Sequence, residues 1–236
     1  MSKELLIHQL GDWGKILGPL IDDPRFNDTM KAIVEHNLKN VVYPSPENVF
    51  RAFELCQLKD LRVVILGQDP YHNGQATGLA FGINGGRIPP SLRIIYKELC
   101  DQFDYTPDDF DYSLEHWSKQ GVLMLNTALT VNAKQPGSHS DIWKWWTKEV
   151  IKRICEYKRH TIFVLWGKHA QSYKDLIHIA VLQAAHPAAE AYSGGNGGFY
   201  GNGHFLNIND RVSPKINWFE SPKKLTDQEQ IDLYNE

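Results

Sequence analysis

The chain has 236 residues, 42% of them hydrophobic and 22% charged, with a net charge of −3 and a pI of about 6.4. That length buries a large core and suits one α/β domain, and the composition excludes a disordered or fibrous chain. Near-neutrality leaves no global basic footprint, so any nucleic-acid face has to be local. No run approaches the ~20 apolar residues of a membrane span, and the start, Met1 to His8, lacks the apolar core of a secretory signal. The three cysteines, Cys56, Cys100 and Cys155, are widely spaced. They form no zinc pattern, are too few for a four-cysteine iron–sulfur cluster and are odd in number for disulfides. Free buried thiols in a reducing, cytoplasmic-type compartment are expected, with no metal, no cofactor and no membrane association.

Residues 11–40 carry an irregular helical pattern (Trp13, Ile16, Leu17, Leu20, then Phe26, Met30, Ile33, Val34) interrupted at Pro19 and Pro24. Ser45-Pro46 reads as an N-cap with proline at the first helical position, opening a helix to about Leu58. Arg62–Leu66 is a short apolar, β-branched run and reads as a strand buried on both faces. At Gly67 the chemistry changes abruptly to Gln68, Asp69, Pro70, Tyr71 and His72. Ligands of open α/β sheets bind just beyond the carboxyl ends of strands, and Pro70 fixes φ and aims its neighbours. Taken singly, Asp69 is a turn former and His72 an ordinary loop histidine; together at a buried strand end they read as a site.

The loop from Gly82 to Ser91 precedes a helix, Leu92–Phe103, that Ser91 would cap, with outward N–H groups suited to an anion. A helix over about 112–120 leads to a second apolar strand, Val122–Asn126, ending in a carboxamide. After a polar loop, Asn132–Ser140, Asp141 would cap a long amphipathic helix, Ile142–Tyr157, in which the tryptophans at 143, 145 and 146 read as packing residues. Thr161–Trp166 is a third strand, followed by Gly167-Lys168-His169 opening a helix to about Ile179. Ala180–Ala185 is the fourth strand, and it ends at His186.

Strand and helix alternate from residue 61 to 186, which predicts an α/β fold. The expectation is a single three-layer domain over 1–236, with a mostly parallel four-stranded central sheet flanked by helices on both faces. The catalytic core would span about 40–218, with a polar tail over 219–236. All four strand ends then share one edge, bringing Asp69 and His72, Asn126, Gly167 to His169, and His186 around one crevice. A carboxylate, an imidazole and a carboxamide there suggest a hydrolase with an Asp base and a His stabiliser. No Gly-x-Ser-x-Gly and no strand-end cysteine supplies a nucleophile.

The ordered set Gly67 to His72, Gln75 to Phe81, Ile88 to Leu92, Leu123 to Asn126 with Leu129 to Val131, and Leu182 to Pro187 resembles the family-1 uracil-DNA glycosylases. Ser138-His139, Leu165 to Gly167, Ala170-Gln171 and Ile216 to Trp218 extend the likeness across roughly residues 40 to 218. The resemblance implies a monomeric enzyme that flips a uracil nucleotide out of single- or double-stranded DNA and hydrolyses its glycosidic bond. It implies that Asp69 positions the water and supports the cationic sugar, and that His186 stabilises the uracil anion at O2. Backbone amides near Gln68 assist, Asn126 reads the Watson–Crick edge, Phe81 stacks, and Tyr71 excludes a 5-methyl group. Ser91 would hold a DNA phosphate, with Pro89, Pro90, His72, Ala188, Glu190 and Tyr192 as further DNA contacts. Partners would be uracil-containing DNA and small acidic DNA-mimic inhibitor proteins. A DNA-binding or replication-accessory protein of the same fold, with weak or no glycosylase activity, is the alternative.

The chain departs from that family most after His186. The usual His-Pro-Ser-Pro-Leu-Ser becomes His186-Pro-Ala-Ala-Glu-Ala191, then Tyr192 and a glycine-rich insertion, Ser193–Gly198. The position of the family's duplex-wedging leucine falls on Glu190 or Ala189. Neither side chain fills a base-stack gap, so a stronger preference for single-stranded DNA is expected, unless Tyr192 or Phe199 takes the role. Smaller departures are a one-residue-shorter loop, His72 to Gln75, Thr77 for a usual His, and Gly82 for a usual Ser.

Overall fold

The structure, a computed structural model, describes residues 3–107 and 110–219. In chain order the helices are α1 (Lys3–Leu10), α2 (Gly14–Ile21), α3 (Pro24–Asn37), α4 (Arg51–Leu55), α5 (Pro90–Phe103), α6 (Glu115–Lys119), α7 (Ser140–Tyr157), α8 (Gly167–Gln171), α9 (Ala188–Ser193) and α10 (His204–Asn209). The strands are β1 (Val42–Tyr43), β2 (Val63–Gly67), β3 (Val122–Asn126), β4 (Val131–Asn132), β5 (Ile162–Trp166) and β6 (Val181–Ala184).

Four of these strands form a fully parallel sheet in the order β3-β2-β5-β6, with helices around it; β1 and β4 pair separately and antiparallel. Every residue of β2, β3 and β5 is buried, as their unbroken apolar runs require, while β6 is a partly exposed edge. The register sets Gly67 opposite Asn126 and Trp166 opposite Ala184, so the chain leaves all four strands on one edge.

The aromatic helix α7 packs inward. Trp143 and Trp146 are fully buried, and Phe26 and Phe50 lie 5.4 and 5.9 Å from the Trp146 ring. Trp145 donates to Thr29 Oγ1 at 2.8 Å and carries Arg25 over its ring face at 4.6 Å. The three tryptophans are therefore packing groups. Cys56, Cys100 and Cys155 are free thiols, the first two buried.

Several helix boundaries differ from expectation for local reasons. The helix expected to Leu58 is three short pieces, 3-10 turns at Pro46–Asn48 and Leu58–Asp60 around α4. It ends at Cys56, whose extended backbone gives its carbonyl to Trp13 Nε1 at 2.7 Å. Ser91 does not cap α5. The two prolines fit only the cap and first helical position, so Pro89 is the cap and Ser91 lies inside the first turn. Asp141 likewise falls inside the first turn of α7, after the cap residue His139, where its charge complements the N-terminal end of the helix dipole.

The helix expected to Ile179 stops at Gln171. The Ser172 hydroxyl donates to the His169 carbonyl at 2.7 Å, and its N–H is shared between the Lys168 and His169 carbonyls, a local side-chain bond that competes with helix continuation. The helix expected over 112–120 begins only at Glu115, after Leu114 adopts a left-handed φ of 61°. From residue 220 the expected polar tail lies outside the described residues, whereas Phe219 packs edge-on against Phe103 and Tyr105.

Candidate active site

The carboxyl ends of β2 and β3 open onto a cavity of 260 Å³ lined by Gly67 to His72, Leu79, Phe81, Ser91, Asn126, Pro136 and His186. Asn126 is 3% exposed and reaches across β2. A β-carbon at Gly67 would lie 2.3 Å from Asn126 Oδ1 and 2.8 Å from Ala80 Cβ, so only glycine lets this carboxamide sit there.

Asp69 follows Gly67 by two residues and accepts a hydrogen bond from the Gly137 N–H through Oδ2 at 2.5 Å. Gly137 belongs to the loop 132–140, which is held by buried side chains. Trp143 Nε1 donates to Thr130 Oγ1 at 2.7 Å, and Thr130 Oγ1 lies 2.8 Å from His139 Nδ1. His139 Nε2 lies 3.1 Å from Asn132 Oδ1 and 2.8 Å from His36 Nδ1, and Ser138 Oγ accepts from the Asn132 N–H at 2.9 Å. Burial, with a smaller push from His36, lowers the His139 pKa to about 4, so the His139 ring is neutral.

Gln68 is fixed through its main chain. Its carbonyl accepts from Thr127 Oγ1 at 2.8 Å and from the Ala128 N–H at 2.9 Å. Thr127 Oγ1 in turn lies 2.7 Å from His169 Nε2. With the Thr127 hydroxyl proton on Gln68, the ring must supply the proton of that second bond. Burial lowers the His169 pKa against the opposing pull of the Asp69 charge. The strand end Gly167 to His169 stood out in the sequence, but the supporting role of His169 and Thr127 did not, because it depends on a contact across 42 residues.

Phe81 has a left-handed φ of 64°, an arrangement that costs a non-glycine residue about 1 kcal/mol and persists only where its surroundings hold it. It is held by the Ala80 N–H bond to the Met124 carbonyl at 2.9 Å and by edge-on packing on Trp166 at 5.7 Å. Its ring centroid lies 6.1 Å from that of His186. Tyr71 is half-buried, and desolvation pushes its phenol well up, so the ring stays neutral.

His186 sits at the mouth, exposed on one side. Its close approach requires Gly167, where φ is +88° and a β-carbon would fall 2.7 Å from His186 Cβ. The Ala188 N–H donates to His186 Nδ1 at 3.1 Å. A nitrogen that accepts cannot carry the proton, so the neutral ring bears it on Nε2. Burial keeps the His186 pKa below its ordinary value.

Of the expected DNA contacts, His72 and Ser91 reach the cavity wall, and His72 Nδ1 is buried without a hydrogen-bond partner among the described residues. Pro89 and Pro90 lie at the start of α5, Ala188 is half-buried in α9, and Tyr192 projects with 87% exposure. Glu190, expected as a DNA contact at the position of the family's wedge leucine, instead points inward: it is 3% exposed and its carboxylate accepts from backbone N–H groups of the following loop. Leu79 and Pro136 also line the cavity, and neither carried a chemical signal in the sequence.

A family model for the uracil DNA glycosylase superfamily matches residues 53–210, more than half of the chain. A uracil-DNA glycosylase of Francisella tularensis subsp. tularensis (strain WY96-3418) is 40% identical over 218 residues, covering 87% of this chain and 97% of the relative. The chain belongs to the uracil DNA glycosylase superfamily. It is a glycosylase of that superfamily by class, a hydrolase of DNA repair. The enzyme of subsp. novicida (strain U112) is 41% identical over the same length. Among solved structures, the Y322F variant of mimivirus UNG in complex with UGI superposes with a TM-score of 0.82 at 25% identity, over 92% of this chain and 91% of that one. Mimivirus uracil-DNA glycosylase itself gives 0.69 over 75% and 68%. These superfamily neighbours share the four-stranded parallel sheet that carries the cavity.

Proposed function

We propose that this chain works as a family-1 uracil-DNA glycosylase, cleaving the bond between uracil and deoxyribose in DNA by hydrolysis to release free uracil and leave an abasic site. The observation that carries the reading is that Asp69, Asn126 and His186, delivered by three separate strand ends, line one cavity. A cavity of 260 Å³ takes one base, which has to leave the stack to enter.

Asp69 keeps one oxygen on Gly137 and has the other for water. In the proposed reaction that water attacks C1′ as the C1′–N1 bond breaks, and the bonding electrons pass to uracil as its anion. Asp69, as an anion, stabilises the positive charge that develops on the sugar. His186 donates Nε2–H to uracil O2 while remaining neutral, and the main chain at Gln68 supports the same edge. The attacking water gives up its proton to Asp69, which passes it to solvent once the bond has formed, and the departing uracil anion is reprotonated from solvent.

Asn126 accepts from uracil N3–H and donates to O4. Cytosine reverses both groups and would leave buried polar atoms unpaired, which is the strong form of discrimination. Tyr71 stands against C5 and Phe81 stacks on the base. The duplex is proposed to meet Ser91, Pro89, Pro90, His72 and Ala188. Tyr192, 87% exposed in the altered segment, is proposed to fill the gap that an extruded base leaves. A small acidic DNA-mimic protein is proposed to bind the same face; the mimivirus UNG variants Y322L and Y322F are each in complex with UGI.

The test is release of free uracil from single- and double-stranded oligonucleotides carrying one deoxyuridine. DNA binding without release, by protein that is folded, would replace this reading with that of an accessory DNA-binding module.

A further inference from the structure

Glu190 is a buried carboxylate that the reaction above does not use. It lies in α9, four residues after His186, and its charge is held by backbone donors. Oε2 accepts from the Gly197 N–H at 2.8 Å, and Oε1 accepts from Phe199 and, at 3.0 Å, from Tyr200. Burial alone would raise its pKa. The N–H groups of Tyr200, Gly197, Phe199 and Gly198 outweigh that and hold it below the ordinary carboxylate range.

The loop so gathered sits directly on α9. A β-carbon at Gly197 would fall 2.6 Å from both Ala189 C and Glu190 N. The far side of the loop is anchored to α5, where Glu98, 1% exposed, accepts from the Gly201 N–H at 2.8 Å. At six residues α9 is too short to hold its own direction, so its orientation is set by what it packs on. The first residue of α9 is Ala188, whose N–H meets His186 Nδ1.

We infer that Glu190 is a positioning residue: by clamping residues 197–200 onto α9 it holds the Ala188 N–H against His186 Nδ1 and keeps the His186 proton on Nε2, facing the cavity. The catalytic consequence rests on the proposed role of His186, whereas the tautomer does not. The negative charge matters because a neutral amide at 190 would turn one NH2 group toward backbone N–H donors and leave buried donors unpaired.

Glu190→Gln tests this with nearly unchanged shape. On single-stranded uracil-DNA, kcat should fall about tenfold with KM within about twofold, because His186 acts on charge that develops in the transition state. The ¹⁵N resonances of His186 should move from a pure Nε2–H tautomer toward a mixture. In a His186→Ala background the same substitution should change kcat by less than about twofold, since residues acting as one unit are not additive. Gly197→Ala unseats the loop from the other side and should reproduce both effects if Glu190→Gln folds poorly. A lowered Tm with unchanged kcat and an unchanged His186 spectrum would overturn the inference, as would a full additional loss in the His186→Ala background. Should the natural protein release no uracil while the tautomer still shifts in Glu190→Gln, the clamp stands and the proposed function fails.

Discussion

Gly67 and Asn126 face each other at the last register position of β2 and β3, and a β-carbon on Gly67 would lie 2.3 Å from Asn126 Oδ1. The carboxamide that is proposed to read the base is thus seated on the bare backbone of the neighbouring strand. Gly67→Ala should push Asn126 out of place, lowering kcat/KM for uracil release by ~10²-fold, the scale of a roughly 1 Å misplacement. The crowded strand end should also lose about 1–3 kcal/mol in urea unfolding. Wild-type activity in that variant would show that Asn126 does not read the base from this position.

Asp69→Asn preserves an oxygen for the Gly137 N–H and removes the charge. Turnover should fall by ~10² or more, while binding of uracil-DNA survives. Equal loss of binding would mean that Asp69 serves to hold the loop 132–140 instead. His186→Ala should show a similar fall in single-turnover rate.

Asn126→Asp should admit cytosine, because a protonated or reoriented carboxyl satisfies the pattern at N3 and N4. Tyr71→Ala opens the wall beside C5 and should admit thymine. Product analysis on oligonucleotides with a single cytosine or thymine target checks both, and strict uracil specificity in both variants would reject the pocket assignment.

Two buried histidines make stability depend on pH. Burial lowers the pKa of His139 to about 4, helped by His36, and that of His204 to about 4 against a bond to the Gln183 backbone. Each native ring is therefore neutral at pH values where the unfolded chain binds a proton. Their stabilising contribution is complete above the ordinary value of 6.5 and is lost as pH falls from there toward about 4. The loss should amount to at most about 3 kcal/mol per ring. Urea titrations from pH 7.5 to 4.5 should show that decline, and a flat profile would place both rings in contact with solvent.

Tyr192 is 87% exposed and Glu190 is 3% exposed, so the wedge role proposed for the altered loop is assigned to the tyrosine and not to position 190. Tyr192→Ala should lower kcat/KM on duplex substrate by about tenfold, equal to ~1.4 kcal/mol, and leave single-stranded substrate within about twofold. Glu190→Leu should add no wedge, since position 190 points inward. A duplex rate that rises in Glu190→Leu would return the wedge to position 190.

The sequence alone determined the α/β class, the parallel sheet and the residues of the cavity wall that carry chemistry. Those features are local. Val63–Gly67, Val122–Asn126 and Ile162–Trp166 are apolar runs too short for helices, and each ends at a change of residue type. Tertiary structure alone decided how these groups are held. The proton position on His186 follows from one backbone N–H in α9, the main chain of Gln68 from Thr127 and His169, and the orientation of Asp69 from Gly137. Glu190 shows the limit most directly. By residue type it belongs at the surface, and its neighbours in sequence suggest a DNA-facing loop. Its burial is offset by N–H groups seven to ten residues later, which meet it only because a glycine-rich loop folds back onto α9. Strand runs are written in neighbouring residues, whereas polar partners at that distance are set by loop geometry that no local pattern encodes.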